Sequence, residues 1–401
     1  MMGLTVLQLW TREKNIFVIL NLGLFIYSIA HVLSVFLDGE NILFSFSEHS
    51  IVYNDIGVTG MILLYFNVIC AIFGLYSSMS GKIITPDPLK GPNFRRRTSL
   101  ISLLLFGCVI FSFLRIDFSQ LQGTYVLTGE FSLLFGFVYL LSGVLLYQVF
   151  INGNSYFKSA ATYYLIIAFV CLFVLGVRQV IVWILLVFFF AHFIRLGSSK
   201  IEYDKAIIQR TPWIGVFLYL VLLMVFQYRF NKVYEFNFSI DSLFFPINAE
   251  TSFTFVSFYH VARDLSVDKH VSLSWLTDYF VMLIPSQIWA NKYEFLILDN
   301  MQQKHGLTPF GTYFLPSTLL ASSRNFLSYL VQVILYATIL AFVWRLVVKS
   351  RYYLFYAPVF ISFAILYPIR GTFHGGIKLF TYFVLLLILM SLGTTSRNRR
   401  H

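Results

Sequence analysis

Charge is scarce in this chain. Asp, Glu, Lys and Arg make up 12% of its 401 residues, about half of the ~25% usual in soluble proteins. Apolar types reach 58%, with 45 Phe, 25 Tyr and 6 Trp among them. A water-soluble core cannot hide that much apolar surface, so lipid is the expected solvent. Cysteine is also sparse: Cys70, Cys108 and Cys171 all fall inside apolar runs, and no C-x-x-C pair occurs. That argues against a disulfide framework and against a cysteine metal site. Asp-x-Asp, H-E-x-x-H, P-loop and G-x-S-x-G elements are missing as well, so neither a metal nor any other cofactor is expected.

What is abundant is the long apolar run. A helix that crosses the hydrocarbon needs about 20 mostly apolar residues. Such runs lie near 16–37, 56–79, 99–115, 130–150, 159–176, 179–196, 213–229, 325–347, 353–369 and 377–394. The stretch 159–196 as one helix would be about 57 Å long, against a core of about 30 Å. It must therefore turn back, at Gly176 and Arg178; 353–394 turns likewise at Arg370–Gly371, helped by Gly375 and Gly376. The expected fold is an all-α polytopic membrane protein of about 10 transmembrane helices, one integral membrane domain over 1–401.

Lys and Arg should mark the cytoplasmic side. With this alternation one side carries 18 cations and four acids, among them Arg95, Arg96, Arg97, Lys349 and the closing Arg397, Arg399 and Arg400. The opposite side holds the remaining 11 cations and 14 acids. Both termini are thus expected in the cytoplasm. The net charge of +11 becomes a topology signal and calls for no nucleic-acid partner.

Most connections are short, but 230–324 is a long outer loop rich in Phe, Tyr, Trp and Leu. That composition argues against disorder. Residues 278–290 are apolar, too short to span and interrupted by Pro285, which suits a helix lying on the membrane or dipping into it. Residues 306–321 look similar, broken by Pro309 and Pro316. The loop is expected to be partly helical and to pack back on the bundle as a lid.

All ten spans lack Asp, Glu, Lys and Arg through their central parts, which counts against an ion-coupled transporter. Chemistry is expected on the outer face instead. Arg178 and Arg370 occupy equivalent tight turns, where each either snorkels to headgroups or grips phosphate. His374 and Lys378 follow Arg370, four residues apart. In the long loop His260 and Arg263 form an i, i+3 pair with Glu250 ten residues earlier, and Arg324 heads the eighth span. The pair reads equally as a base with a pyrophosphate clamp or as a solvated loop face. His31 and His192, inside apolar runs, read as packing residues.

This layout resembles the O-antigen polymerase (Wzy) family. The local likeness is carried by Phe173-Val-Leu-Gly-Val-Arg-Gln-Val180, by Leu283-Ile-Pro-Ser286 followed by Lys292, by Gly311-Thr-Tyr-Phe-Leu-Pro-Ser-Thr-Leu-Leu320 and by Pro368-Ile-Arg-Gly371. It covers most of the chain in layout through short, degenerate motifs, and the related O-antigen ligases share it. What the resemblance implies is a glycosyltransferase at the periplasmic face of the bacterial inner membrane. The growing glycan would leave undecaprenyl pyrophosphate and join a hydroxyl of another lipid-linked repeat unit. A flippase and a chain-length regulator would be its partners. Arg178, Arg263, Arg324 and Arg370, with His374 and Lys378, would then bind the pyrophosphate, and His260 or Glu250 would act as base. A ligase is the near alternative, and a lipid-linked oligosaccharide flippase the alternative of another class.

The charge pattern makes a direct prediction. A reporter active only outside the cytoplasm should work when fused near residues 45, 122 and 270 and fail near 90, 203 and 399. Activity at 90 or 203 overturns the alternation.

Overall fold

A computed structural model describes residues 15–25, 56–79, 273–284, 288–296, 315–323, 325–350 and 353–370, with single positions between 107 and 110, 186 and 190, 258 and 262, and 380 and 385. Every regular element among the described residues is helical. In chain order they are α1 (Ile16–Phe25), α2 (Ile56–Met79), α3 (Ser274–Leu283), a 3-10 helix (Ala290–Phe295), α4 (Leu315–Ala321), α5 (Phe326–Lys349), α6 (Tyr353–Phe360), a π-helical turn (Ile361–Leu366) and α7 (Tyr367–Arg370). The expected spans at 130–150, 159–176 and 213–229, and the turn at Gly176–Arg178, lie outside the described residues.

Two helices, α2 and α5, are long and apolar enough to cross a membrane. Both are apolar on every side, a pattern shared by helices buried in a large core and helices that cross a membrane. On α5 the inward residues Tyr329, Val333, Tyr336, Ala337, Leu340 and Trp344 are buried, while Leu327, Val331, Ile334, Phe342 and Leu346 are exposed. On α2, Ile62, Tyr65, Ile69 and Phe73 are buried, and Leu63, Leu64 and Leu75 are exposed.

The chain divides into two compact units, one of Met1–Ile84, Asn237–Leu346 and Phe363–Lys378, the other of Thr85–Phe236, Val347–Ser362 and Leu379–His401. Within the first, α2 and α5 run parallel. Tyr65 meets Tyr329 edge-on at 4.8 Å, Phe73 meets Tyr336 at 6.1 Å, and the Tyr76 and Thr338 hydroxyls lie 2.5 Å apart. Thr338 already donates to the Ile334 carbonyl, so Tyr76 is the donor in that pair. Tyr329 donates its hydroxyl to the Tyr65 carbonyl at 3.1 Å. Helix α1 runs antiparallel to α2. Asn15 Nδ2 donates to the Ser77 carbonyl at 2.7 Å and Asn21 Nδ2 to the Cys70 carbonyl at 3.4 Å. Asn15 also caps α1, its Oδ1 accepting from the Phe17 amide at 3.1 Å.

In the second unit, Pro358 stands inside α6, and Phe360 meets Phe380 edge-on at 5.2 Å. Proline removes one backbone donor, and the π-helical turn Ile361–Leu366 follows directly.

Of the apolar stretch 306–321, residues 315–321 are described and form α4, with Pro316 as its second residue; Pro309 lies outside the described residues. All seven residues of α4 are buried, and the helix packs against both α2 and α7.

Gly23 of α1 faces α7, and a methyl group placed there would meet the Cδ1 atom of Ile369, which is itself buried. Small residues at helix contacts allow such close approach. Gly23→Ala should therefore lower thermal stability of the purified protein by about 1–3 kcal/mol through overpacking. Removing Cδ1 with Ile369→Val should restore much of that loss in the double variant. Additive losses in the two-variant cycle would show that the contact does not limit packing.

Candidate functional site

The described part of the long loop meets the bundle through a layer of buried polar side chains. It begins at Leu273, whose backbone is left-handed (φ 67°). That conformation costs a leucine about 1–2 kcal/mol. Its carbonyl accepts from the Leu276 amide at 2.9 Å, the Thr277 amide at 3.1 Å and the Thr277 hydroxyl at 3.3 Å, which starts α3 without a side-chain cap. One turn into α3, Trp275 and Asp278 lie three residues apart, so they share a face; both are buried, Asp278 fully.

Trp275 is held by α5. Its Nε1 donates to Gln332 Oε1 at 2.6 Å, and its ring meets Tyr336 edge-on at 6.1 Å. Gln332 spends its amide nitrogen on the Ser322 carbonyl at 3.2 Å, at the end of α4. Ser322 Oγ donates back to the Thr318 carbonyl at 3.1 Å and Ser323 Oγ to the Leu319 carbonyl at 2.6 Å. The Thr318 carbonyl also accepts from the Ser322 amide at 3.2 Å, and the Ser323 hydroxyl gives the Leu319 carbonyl, near the C-terminal end of α4, a partner within the buried layer. One glutamine thus ties α3 to α4 through α5.

Lys292 closes the layer. It is 1% exposed, and its ammonium group donates to the Ile284 carbonyl at the C-terminal end of α3. A cation there complements the helix dipole. Burial pushes its pKa below the ordinary lysine value. Asp278 and Lys292 therefore provide a carboxyl and an amine on the inner side of the loop. Among the described residues no group of three or more His, Cys, Asp or Glu is placed to hold a metal ion.

Of the residues singled out from sequence, Arg370 is the last residue of α7, the short helix in contact with α4. The chain position of Arg324 is between Ser323 and Asn325, directly after α4. Arg324 itself, Arg178, Glu250, His260, Arg263, His374 and Lys378 lie outside the described residues. Three neighbours of His260 are described: Phe258, Val261 and Ala262 are helical and buried.

Sequence reasoning passed over Asp278, Trp275 and Gln332 as functional groups. It looked for charges at the centres of spans, whereas Gln332 is a neutral amide in an apolar helix. That amide was itself the available signal, because a buried polar group needs a partner. Comparison with protein-family models, curated proteins and solved structures finds no match to this chain.

The lowered Lys292 pKa fixes a sign. Between the folded pKa and the ordinary lysine pKa, the unfolded chain binds more protons, so stability rises with pH through that window and is flat below it. Lys292→Met removes the titration. Wild-type thermal stability should therefore gain on the Met variant as pH is raised from 7 towards the ordinary lysine pKa. A difference that stays constant over that range would show that Lys292 titrates as if exposed.

Proposed function

We propose that this chain is a multi-pass membrane glycosyltransferase of the O-antigen polymerase type, with both termini in the cytoplasm of a bacterial cell. It joins undecaprenyl-pyrophosphate-linked repeat units at the periplasmic face of the inner membrane. The observation that carries the reading is the burial of α4, a piece of the long loop, against α2 and α7. A loop built into the bundle in this way can present its own residues to a lipid-borne substrate, which a disordered tether cannot. The directions of the helices support the same topology: α2 and α5 run parallel, and α1 runs against them, as the charge alternation requires.

The chemistry follows from the donor. The acceptor hydroxyl oxygen attacks the anomeric carbon of the growing glycan, the bond from that carbon to the pyrophosphate oxygen breaks, and the hydroxyl proton passes to a base. His260 or Glu250 fills the role of base. The departing pyrophosphate takes the bond's electron pair and needs cations; Arg178, Arg263, Arg324 and Arg370 are assigned to it, with His374 and Lys378 beside Arg370 in the chain. The donor is already activated, so the transfer needs no nucleotide. Phe-rich apolar helices suit a prenyl tail.

Arg178→Ala and Arg370→Ala should each abolish chain growth with membrane abundance unchanged. Loss of one donor to a developing oxyanion costs roughly 2.7–4 kcal/mol, a hundredfold to a thousandfold in rate. Lys should rescue poorly, because it keeps the charge but loses the planar fork. The readout is glycan ladder length in a deletion strain complemented with each variant. Full ladders from either Ala variant, or from both Lys variants, overturn the assignment for the residue concerned. The deletion strain itself separates the alternatives: loss of a polymerase leaves acceptor capped with one repeat, and loss of a ligase leaves none.

A further inference from the structure

Within the segment 273–296, Asp278 and Lys292 are buried while three large apolar side chains are exposed. Phe280 is 59% exposed, Ile288 78% and Phe295 55%. The Trp289 ring meets Phe295 at a tilt, 4.9 Å between centroids. Asn291 and Glu294, also exposed, stand beside it on the 3-10 helix.

The depth of this segment follows from what it is fastened to. Helix α5 has 24 residues, about 36 Å at 1.5 Å per residue, so when centred it overhangs a ~30 Å hydrocarbon core by about 3 Å at each end. Gln332 lies about 9 Å along α5 from Phe326, hence about 6 Å inside the hydrocarbon, and Tyr336 lies deeper still. Trp275 is bonded to the first and packed on the second. Phe280 is within about 8 Å of Trp275 along α3. Phe280 is therefore placed near the boundary between acyl chains and headgroups. The 3-10 helix is held to the end of α3 by Lys292 and mixes Ile288, Trp289 and Phe295 with Asn291 and Glu294. That mixture is typical of the boundary itself, where an aromatic ring has one side in lipid and polar neighbours reach water.

We propose that Phe280, Ile288 and Phe295 form a lipid-docking face, so that this part of the long loop is embedded in the outer leaflet among bilayer acyl chains, continuous with the exposed apolar face of α5. The inference rests on the membrane reading of α5. The polar side of the same segment, with Asp278 and Lys292, faces the protein. The segment is then a partition with bilayer on one side and the buried polar layer on the other.

Nitroxide labels at positions 280, 288, 291 and 331 test this in the full chain, with Cys70, Cys108 and Cys171 replaced by Ala. The protein is placed in vesicles of phosphatidylethanolamine and phosphatidylglycerol. Labels at 280 and 288 should show an oxygen-to-nickel collision ratio close to that at 331 on α5 and several-fold above that at 291. If 280 is as open to nickel as 291 while 331 stays shielded, this inference alone falls. If 331 is open to nickel as well, the membrane reading falls with it. Should the cysteine-free chain fail to assemble, p-benzoylphenylalanine at 280 in the native-cysteine chain gives a second measurement. Irradiation should add the mass of a phospholipid there as it does at 331, and an adduct at 331 with none at 280 overturns the proposal.

Discussion

The parallel pairing of α2 and α5 is the constraint on which the first compact unit depends. Neither helix is amphipathic enough to choose a face by its pattern alone, so specific contacts decide it. Tyr65, Phe73 and Tyr76 meet Tyr329, Tyr336 and Thr338 in register. Apolar burial gives little preference between helix and lipid, because acyl chains are as apolar as leucine. What distinguishes the right pairing is aromatic geometry and two hydroxyl bonds that have no water to fall back on. Once the pair is set, α1 joins through Asn15 and Asn21, and α4 fills the space against α2 and α7.

The polar layer follows from the same lack of water. The carbonyls at the C-terminal end of a buried helix need partners, and Ser323 and Gln332 provide them for Leu319 and Ser322 at the end of α4. Gln332 is also the acceptor for Trp275. One side chain of α5 thus bonds both α3 and the end of α4, and the loop cannot lift from α5 without exposing both an indole N–H and a backbone carbonyl. Each unsatisfied group would cost about 1–3 kcal/mol.

The spans were legible in the sequence where length alone settles the matter. The run at 56–79 is the helix α2, 325–347 became α5 at Phe326–Lys349, and 353–369 became a helical stretch ending at Arg370. The π-helical turn was not legible, since a shift in hydrogen bonding leaves no mark on composition. The loop was half legible. Its apolar pieces were visible, and two of them are helical in part, as α3 and as α4 around Pro316. The polar layer joins residues 57 positions apart, Trp275 and Gln332, and no periodicity reports a contact of that kind. Of the proposed phosphate-binding residues, Arg370 is a helical residue of α7, and the turn expected from Gly371 onward lies outside the described residues.

The long separation between α2 and its partner bears on how the protein is made. Tyr76 and Thr338 are 262 residues apart, and a ribosome adding about 5–20 residues per second takes roughly 13–50 s to synthesise that interval. On the proposed membrane topology, α2 would enter the bilayer long before α5 emerges, with its aromatic face turned to lipid or to a transient companion. Helix α4 would follow α2 but precede α7, the other helix it packs against. The loop would then be passed outward first and drawn back afterwards, so its folding would belong to the last stage of biogenesis rather than to the insertion of the spans.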